Sequence, residues 1–366
     1  HEIAETVIHV DQRMSYTGVQ KILDGDEETV KKYEVLVPIL VRMKELAALL
    51  REKRRARGSI DFDFPESKII LNAAGRAKKD TGARALRAII EDFMLAANET
   101  VAEDCFWQEL PFVYRTHDNP DPDRMRKLAA FINNFGYSIH TGDEIHPKEL
   151  QKLLEKIDGT DEENLIARLT LRSMKRAQYT TECVGHFGLA AKYYCHFTSP
   201  IRRYPDLQIH RIIKENLHGG LKQTRFKHYQ NLLPEVAKHT STTERRADDA
   251  ERDTDKVKMV EYMEKHMGEE FDGVISGMTA WGMYVELPST IEGMVSVTSL
   301  RDGYYIYDEN HYEMVNETTG RTFKLGQKVT VKVVATNKIL RTIDFELSEG
   351  EWENGRTKKR KPTDFQ

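Results

Sequence analysis

The sequence has few cysteines and no long apolar run, and these two features exclude several classes of protein. Its three cysteines, Cys105, Cys183 and Cys195, show no CxxC spacing. Neither a disulfide framework nor a zinc knuckle is therefore predicted, and a reducing cytoplasm is the expected location. No apolar stretch approaches the length of a membrane span and no signal peptide is recognisable, so we expect no membrane association.

Two kinds of binding motif are also missing from the sequence. There is no glycine-rich phosphate loop of the nucleotide-hydrolase type, so coupling to ATP is not expected. His186 and His196 are ten residues apart and have no Cys or His companion at metal-ligand spacing, so no metal site is predicted from the histidines. The first residue is His1, just before a predicted strand at residues 5–10, and we expect the gene product to begin upstream of it.

The 366 residues are 39% hydrophobic and 31% charged, which is typical of a globular protein with room for one large and one small domain. The formal net charge of -4 argues against a general cationic coat for nucleic acid. The arrangement of charge and apolar residues along the chain is therefore more informative than their totals.

Apolar residues at a spacing of three and four predict a helix-rich region up to residue 267, with short strands at residues 60–64 and 112–117. Long helices are expected at residues 14–23, 26–57, 82–107 and 224–267, and Gly58 is the predicted stop of the second. From Gly268, short alternating runs such as GMYVEL and KVTVKVV predict a small all-β barrel. The fold class is thus α+β, with domains at 1–267 and 268–349 and a basic tail at 350–366 containing RTKKRK.

The stretch HFTSPIRRYPDLQIHR places two adjacent arginines between Ser-Pro and the start of a helix at Tyr204. Pro205 and Asp206 suit the first turn of that helix, and Ser199-Pro200 favours a turn before it. Arg202 and Arg203 are therefore expected beside free backbone N–H groups, where their planar guanidinium groups can bind phosphate. A salt bridge to one of the many acidic residues is an equally good interpretation of the spacing alone.

The segment GHFGLAAKYYCHFTSPIRRYPDLQIHRIIK closely resembles the most recognisable block of the ribonuclease II and ribonuclease R family of 3′-to-5′ exoribonucleases. The resemblance continues in VIHVDQRMSYTGVQ, GSIDFDFPE, EDFMLAANETVAE and ERRADDAERD, and the β-rich segment resembles the S1 domain, an OB-fold barrel. It covers nearly the whole chain and is stronger to ribonuclease R. The family threads single-stranded RNA, 3′ end first, into a channel and releases nucleoside 5′-monophosphates processively.

The resemblance implies roles for several residues of the helix-rich part. Arg202 matches the arginine at the cleaved phosphate, with Ser199 and Arg203 as neighbouring RNA contacts, Arg203 in a supporting or structural role. Glu251 matches an acidic residue close to the 3′-terminal nucleotide. Tyr16 matches a tyrosine that stacks on the last bases, and Phe112 or Tyr114 the opposite wall of that clamp. For each aromatic residue, core packing is the alternative.

In the barrel, Trp281 and Tyr284 lie where S1 domains place aromatic residues on their RNA-binding face. Because Gly282 interrupts the strand, the two rings need not share one face. The basic runs RTKKRK and REKRRAR are possible further phosphate contacts, although a solvated surface is the more common role of such runs.

The resemblance also implies Mg²⁺, held by an aspartate cluster upstream of this chain. Three local groups of aspartates are poor substitutes. Asp118, Asp121 and Asp123 suit a helix-entry loop, Asp61 and Asp63 lie in a strand away from the metal site, and Asp248 and Asp249 suit exposed salt bridges. We therefore expect this chain alone to be inactive, its partners being single-stranded RNA and the missing N-terminal part of the enzyme.

Two rival functions stay open at this point. The first is a non-catalytic RNA-binding module in which the barrel and the channel bind a single strand without cutting it. The second is a structural adaptor whose helical region docks a protein partner.

Overall fold

The structure is a computed structural model that describes residues 1–60, 84–142, 144–160, 162–309 and 311–354. The predicted strand at residues 60–64 lies almost entirely outside these residues, as does most of the predicted basic tail. The described chain forms two compact units, which we treat separately. The first contains residues 1–60, 84–158 and 167–246, and the second contains residues 159–166 and 247–354.

Helices dominate up to residue 263, as the apolar spacing predicts. In chain order they are α1 (Tyr16–Leu23), α2 (Glu27–Lys32), α3 (Val37–Arg57), α4 (Arg84–Trp107), α5 (Pro122–Asn133), α6 (Pro147–Ile157), α7 (Glu163–Ser173), α8 (Tyr204–Leu217) and α9 (Gln223–Met263). A short α10 (Glu349–Asn354) follows the barrel. None of the described helices is long and apolar enough to cross a membrane.

Helix ends follow the local sequence. Ser15 precedes α1, and its hydroxyl oxygen accepts a hydrogen bond from the Gly18 N–H group, which would otherwise be unsatisfied in the first turn. The predicted stop at Gly58 is confirmed: this residue has a φ of 108°, a left-handed conformation that glycine adopts without steric cost, and it ends α3.

The predicted strand at residues 5–10 is wrong for the described chain, because this segment forms no strand there. Alternating apolar residues indicate a strand only where a partner supplies hydrogen bonds, and none of the described strands pairs with this segment. Val7 and Ile8 are instead exposed. The prediction at residues 112–117 is better: β1 (Tyr114–Thr116) pairs with β2 (Gln178–Thr180) in an antiparallel ladder.

The main core of the first unit lies where α4, β1, α8 and residues 193–195 meet. Its buried members are Val101, Ala102, Cys105, Phe112, Tyr114, Tyr193, Cys195, Ile209 and Ile213. This core supports the turn that precedes α8, because residues 193–195 lead into that turn and α8 leaves it.

The predicted barrel is confirmed in the second unit. Five strands close in the order β10, β5, β4, β3, β9, and three further strands form a small sheet in the order β6, β7, β8. The strands are β3 (Glu270–Thr279), β4 (Gly282–Glu286), β5 (Glu292–Ser296), β6 (Tyr305–Asp308), β7 (Glu313–Asn316), β8 (Thr322–Lys324), β9 (Lys328–Asn337) and β10 (Thr342–Leu347). The predicted domain boundary at 267/268 stays a prediction.

Candidate nucleic-acid interface

The two adjacent arginines lie on a tight turn that runs from Ser199 into α8. The carbonyl oxygen of Ser199 accepts hydrogen bonds from the N–H groups of Arg202 and Arg203, at 3.3 and 3.1 Å. Arg203 then has an extended backbone and α8 begins at the next residue, with Pro205 in its first turn. The Ser-Pro and Tyr-Pro-Asp sequences thus produce the expected turn and helix start.

The side chains of the two arginines have different environments. The Nη2 atom of Arg203 donates to Oδ1 of Asp206 at 2.7 Å, and the Arg203 side chain is only 16% exposed. Arg202 is exposed, and its side chain forms no hydrogen bond or ion pair with the described residues. The salt-bridge interpretation therefore applies to Arg203, whereas Arg202 is available to bind an anion.

Most backbone N–H groups of the turn before α8 are not free, contrary to the expectation from the sequence, whereas the first turn of α8 has no side-chain cap among the described residues. Asn98 on α4 accepts from the N–H groups of Phe197 and Thr198, at 3.0 and 3.3 Å, and Asp206 accepts from that of Ser199 at 2.7 Å. Sequence alone cannot reveal the Asn98 acceptor, because it is about a hundred residues away. The exposed Arg202 side chain is therefore the anion ligand that the turn itself offers, beside the uncapped first turn of α8.

A second group of charged and aromatic residues, which no motif of the sequence predicts, lies near this turn. Arg115 donates to Glu244 Oε2 at 2.6 Å, and its guanidinium group lies 4.6 Å from the centre of the Tyr179 ring. The Tyr179 hydroxyl group lies 2.9 Å from Nδ1 of His196. These residues come from four distant segments, so no local motif marks them.

The pKa of His196 shows that three arginines lie close enough to act on the same buried imidazole. Burial, followed by the charges of Arg203, Arg115 and Arg202, lowers the pKa of His196 to about 2. The imidazole is therefore neutral, and three guanidinium groups act on the same point. Because one carboxylate each pairs with Arg115 and Arg203, Arg202 is the one of these three arginines without an ion pair to the described residues.

Two further histidines extend this group towards the protein interior. The ring of His186 lies 5.1 Å from those of His117 and Tyr194, and Tyr194 lies 5.7 Å from His196. Burial and the neighbouring His117 lower the pKa of His186 to about 3, and burial lowers the pKa of His117. The side chains of His117, His186 and His196 are therefore neutral, and they pack within this group.

The predicted aromatic clamp is only partly present in the structure. Tyr16 is the first residue of α1 and is 47% exposed, so part of its side chain is accessible. Phe112 and Tyr114 are buried, and their ring centres lie 5.0 Å apart in the core. For these two residues the geometry matches the core-packing alternative, because a buried ring has no free face for a base.

Of the predicted residues of the second unit, Glu251 and Trp281 are exposed and Tyr284 is half-buried. Glu251 lies on the surface of α9, without a hydrogen bond or ion pair to the described residues. Trp281 is 77% exposed in the turn between β3 and β4, and Tyr284 points outward from β4 opposite Met294 of β5. The glycine between them is required, because a Cβ at Gly282 would lie 2.2 Å from the Val295 carbonyl oxygen.

Three arginines of the basic run REKRRAR at the end of α3 are used in ion pairs, which corrects their interpretation as phosphate contacts, whereas Lys53 and Arg55 of the run are exposed. Arg51 and Arg54 donate to the fully buried carboxylate of Asp92 on α4, at 2.8 and 2.6 Å. Arg57 forms a two-bonded pair with Glu99. Three arginines of the run therefore fasten α3 to α4. The other basic run, RTKKRK, lies outside the described residues.

The aspartate groups take the structural roles that the sequence suggested, where they are described. Asp121 caps α5 by accepting from the N–H groups of Asp123 and Arg124. Asp249 forms an exposed ion pair with Arg252 one turn away at 2.6 Å. Asp61 and Asp63 lie outside the described residues.

The carboxylates around Arg202 do not fit a divalent metal. In the described part of that surface, Asp206 is paired with Arg203 and Glu244 with Arg115, so no group of free carboxylates converges there. One set of suitably close ligand atoms occurs in the described second unit, from Asp308, His311 and Glu313. There Asp308 lies 2.7 Å from His311, and Glu313 pairs with Lys324, so these groups are exposed ion-paired residues.

Comparison with known proteins agrees with this architecture. Residues 1–219 match the RNB domain family, and residues 264–348 match the S1 RNA binding domain. Ribonuclease R 1 of Lactococcus lactis is 42% identical over 355 residues, which cover 96% of this chain and 43% of that protein. Ribonuclease R of Thermotoga maritima is 41% identical over 355 residues, covering 95% of this chain and 50% of that protein.

A solved structure has the same fold. Mycoplasma genitalium RNase R in complex with ribose methylated single-stranded RNA superimposes with a TM-score of 0.83 at 24% identity, covering 92% of this chain and 53% of that one. The chain spans about half the length of the curated relatives it matches. With more than half of its residues matched to one domain family and an S1 domain after them, this chain belongs to the RNB family, alongside the ribonuclease R proteins.

Proposed function

We propose that this chain is part of a processive 3′-to-5′ exoribonuclease that hydrolyses single-stranded RNA to nucleoside 5′-monophosphates. The observation that carries the proposal is the contrast on the turn before α8: Arg203 is held by a buried carboxylate, while the adjacent Arg202 is exposed and uncompensated. In a member of the RNB family, an exposed arginine without an ion pair is well placed to bind the phosphate at the cleaved bond.

Arg202 would act on the charge of the phosphate. Its planar guanidinium group can donate two parallel hydrogen bonds to non-bridging phosphate oxygens. Because negative charge on these oxygens increases as water adds to phosphorus, an already oriented cation stabilises the transition state more than the bound substrate. Removing one such donor lowers turnover by a factor on the order of 100 to 1,000 in comparable sites.

RNB nucleases generally depend on a divalent metal, and we propose that Mg²⁺ is held here by carboxylates outside this chain. A bound metal of this kind activates water and stabilises the leaving oxygen. The described carboxylates near Arg202 are used in ion pairs. We therefore propose that the missing N-terminal part of the enzyme is required for hydrolysis, that ATP is not, and that the enzyme acts in the cytoplasm.

We further propose three aromatic contacts with RNA. Tyr16 in the first unit and Trp281 in the second are exposed, and Tyr284 in the second is half-buried. Stacking on bases suits an enzyme without sequence preference, because every base presents a π face. Glu251 stays a proposal as the acidic residue near the 3′-terminal nucleotide, supported by its exposed position on α9.

The proposal is tested with 3′-labelled single-stranded RNA and Mg²⁺. This chain alone should release no nucleotide, and the full-length protein should release mononucleotides. In the full-length protein, Arg202→Ala should lower the rate of release far more than it lowers the affinity for RNA, because binding is spread over many contacts. Robust release by the chain alone would contradict the placement of the metal ligands, and equal losses would reduce Arg202 to a binding residue.

The alternative is a non-catalytic module that binds single-stranded RNA. The exposed Trp281 on an S1 barrel favours binding independently of any cleavage site. Retained RNA binding without hydrolysis in the full-length protein would support this alternative. A structural adaptor is a weaker rival, and RNA affinity that falls with increasing salt would count against it.

A further inference from the structure

We propose that Asp206 is the positioning residue that assigns different tasks to the two arginines, withholding Arg203 from RNA and aiming Arg202 at the phosphate. This inference rests on the proposed function and deepens it. It concerns a residue that touches neither RNA nor the reacting atoms in the proposed site. Asp206 acts on the turn alone.

The position of Asp206 allows it to clamp the turn at both ends. A single oxygen, Oδ1, accepts from the Ser199 N–H group and from Nη2 of Arg203, both at 2.7 Å. These two donors lie on either side of Arg202 in the sequence. Together with the bonds from the Arg202 and Arg203 N–H groups to the Ser199 carbonyl oxygen, they close the loop that presents Arg202.

Because Asp206 is buried, Arg203 has to stay paired with its carboxylate. The Asp206 side chain has no solvent exposure, and its other oxygen, Oδ2, has no hydrogen-bond partner among the described residues. If Arg203 moved to bind RNA, an ionised carboxylate would stay buried without its only cationic partner, which is strongly unfavourable. Arg203 is therefore committed to Asp206, and only Arg202 is free to move with the substrate.

A second buried side chain fixes the segment before the clamp. Asn98, which is 2% exposed on α4, accepts from the N–H groups of Phe197 and Thr198 and donates to the Tyr194 hydroxyl group. Three consecutive N–H groups, those of Phe197, Thr198 and Ser199, are thus bonded to interior side chains. The turn is held from α4 on one side and from α8 on the other, and Arg202 is the exposed side chain that it presents to an anion.

The test is a double-mutant cycle in the full-length protein, with the single-turnover rate of nucleotide release as the readout. Asp206→Asn keeps a neutral acceptor of the same size for Ser199 but removes the charge that holds Arg203. We expect Arg202→Ala to lower the rate about 100-fold and Asp206→Asn to lower it about tenfold. If Asp206 works through Arg202, the double variant should be about 100-fold slower, the same as Arg202→Ala alone.

Asp92→Asn is the matched control. Asp92 is another fully buried carboxylate of the first unit that pairs with arginines, but it lies between α3 and α4. This change should lower the melting temperature, and any effect on the rate should multiply with that of Arg202→Ala. Arg203→Gln breaks the Asp206 pair from its other side and replaces Asp206→Asn in the cycle if that variant does not fold.

Two outcomes separate this inference from the proposed function. Multiplying effects, with the Asp206→Asn and Arg202→Ala double variant about 1,000-fold slower, would overturn the positioning role while leaving Arg202 at the phosphate. An unchanged rate for Arg202→Ala alone would overturn the role of Arg202 in the proposed function, and the positioning role with it.

Discussion

The buried histidines behind the arginine surface predict a large loss of stability in mild acid. The relevant groups are His186 and His196, whose pKa values in the folded chain are about 3 and about 2. Burial is the first cause for both, and nearby positive charge adds to it. In an unfolded chain each imidazole has a pKa near about 6.5. At a pH between the folded and the unfolded pKa, each histidine binds a proton in the unfolded chain but not in the folded chain.

The sign and size of the effect follow from this difference in proton binding. Each lowered pKa leaves the folded state fully stable above about pH 6.5, and stability is lost as the pH falls below that value. At pH 5, protonation stabilises the unfolded chain by about 2 kcal/mol for each histidine, because this stabilisation depends almost entirely on the pKa in the unfolded chain. The two together predict a decrease of about 4 kcal/mol in the free energy of unfolding between pH 7 and pH 5.

The assay is urea unfolding at pH 7 and pH 5, followed by circular dichroism. Because carboxylates also titrate in this range, the decisive comparison is between variants. His196→Gln and His186→Gln should each reduce the difference between the two pH values by about 2 kcal/mol, even if they lower stability at pH 7. His239→Gln, at an exposed position on α9, should leave the difference unchanged. A difference that is the same in all four proteins would refute the reasoning.

Two further predictions use other parts of the chain. Burial raises the pKa of Cys105 to about 12 and that of Cys195 well above its ordinary value, so alkylation followed by mass spectrometry should label the partly exposed Cys183 first and the other two only after unfolding. Equal labelling rates in the folded chain would contradict this burial. Trp281→Ala should weaken binding of single-stranded RNA by about 1–3 kcal/mol, measured by fluorescence anisotropy, whereas Ile339→Ala, which removes an exposed aliphatic side chain from the β9–β10 turn, should not.

The sequence was most informative where the determinants are local. Gly58 ends α3 because only a left-handed residue fits there, and the Ser-Pro and Tyr-Pro-Asp sequences produce the turn before α8. The alternating runs after Gly268 likewise predicted the barrel, because side-chain alternation along a strand is itself local. The family resemblance then indicated which arginine to examine.

Local pattern could not identify the partners that decide the site. Nothing in the pair Arg202-Arg203 says which arginine meets Asp206, because that depends on the side of the turn that faces the core. Phe112 and Tyr114 lie in the short strand-like run FVYRTH, whose pattern does not say that the packing of α8 and α4 covers both rings. The alternation at residues 5–10 predicted a strand, but a strand also needs a neighbour to pair with.

The ion pairs between α3 and α4 change how the charge of this protein is to be counted. Arg51, Arg54 and Arg57 give their positive charge to carboxylates of α4 and leave little for the long-range field around the molecule. Counterion release on RNA binding counts only cations that neutralise phosphates. The slope of affinity against salt concentration will therefore report a much smaller number of charges than the 55 lysines and arginines of the sequence. The three paired arginines at the end of α3 make the helix pair more rigid, although the basic composition of this helix end suggests attraction for RNA.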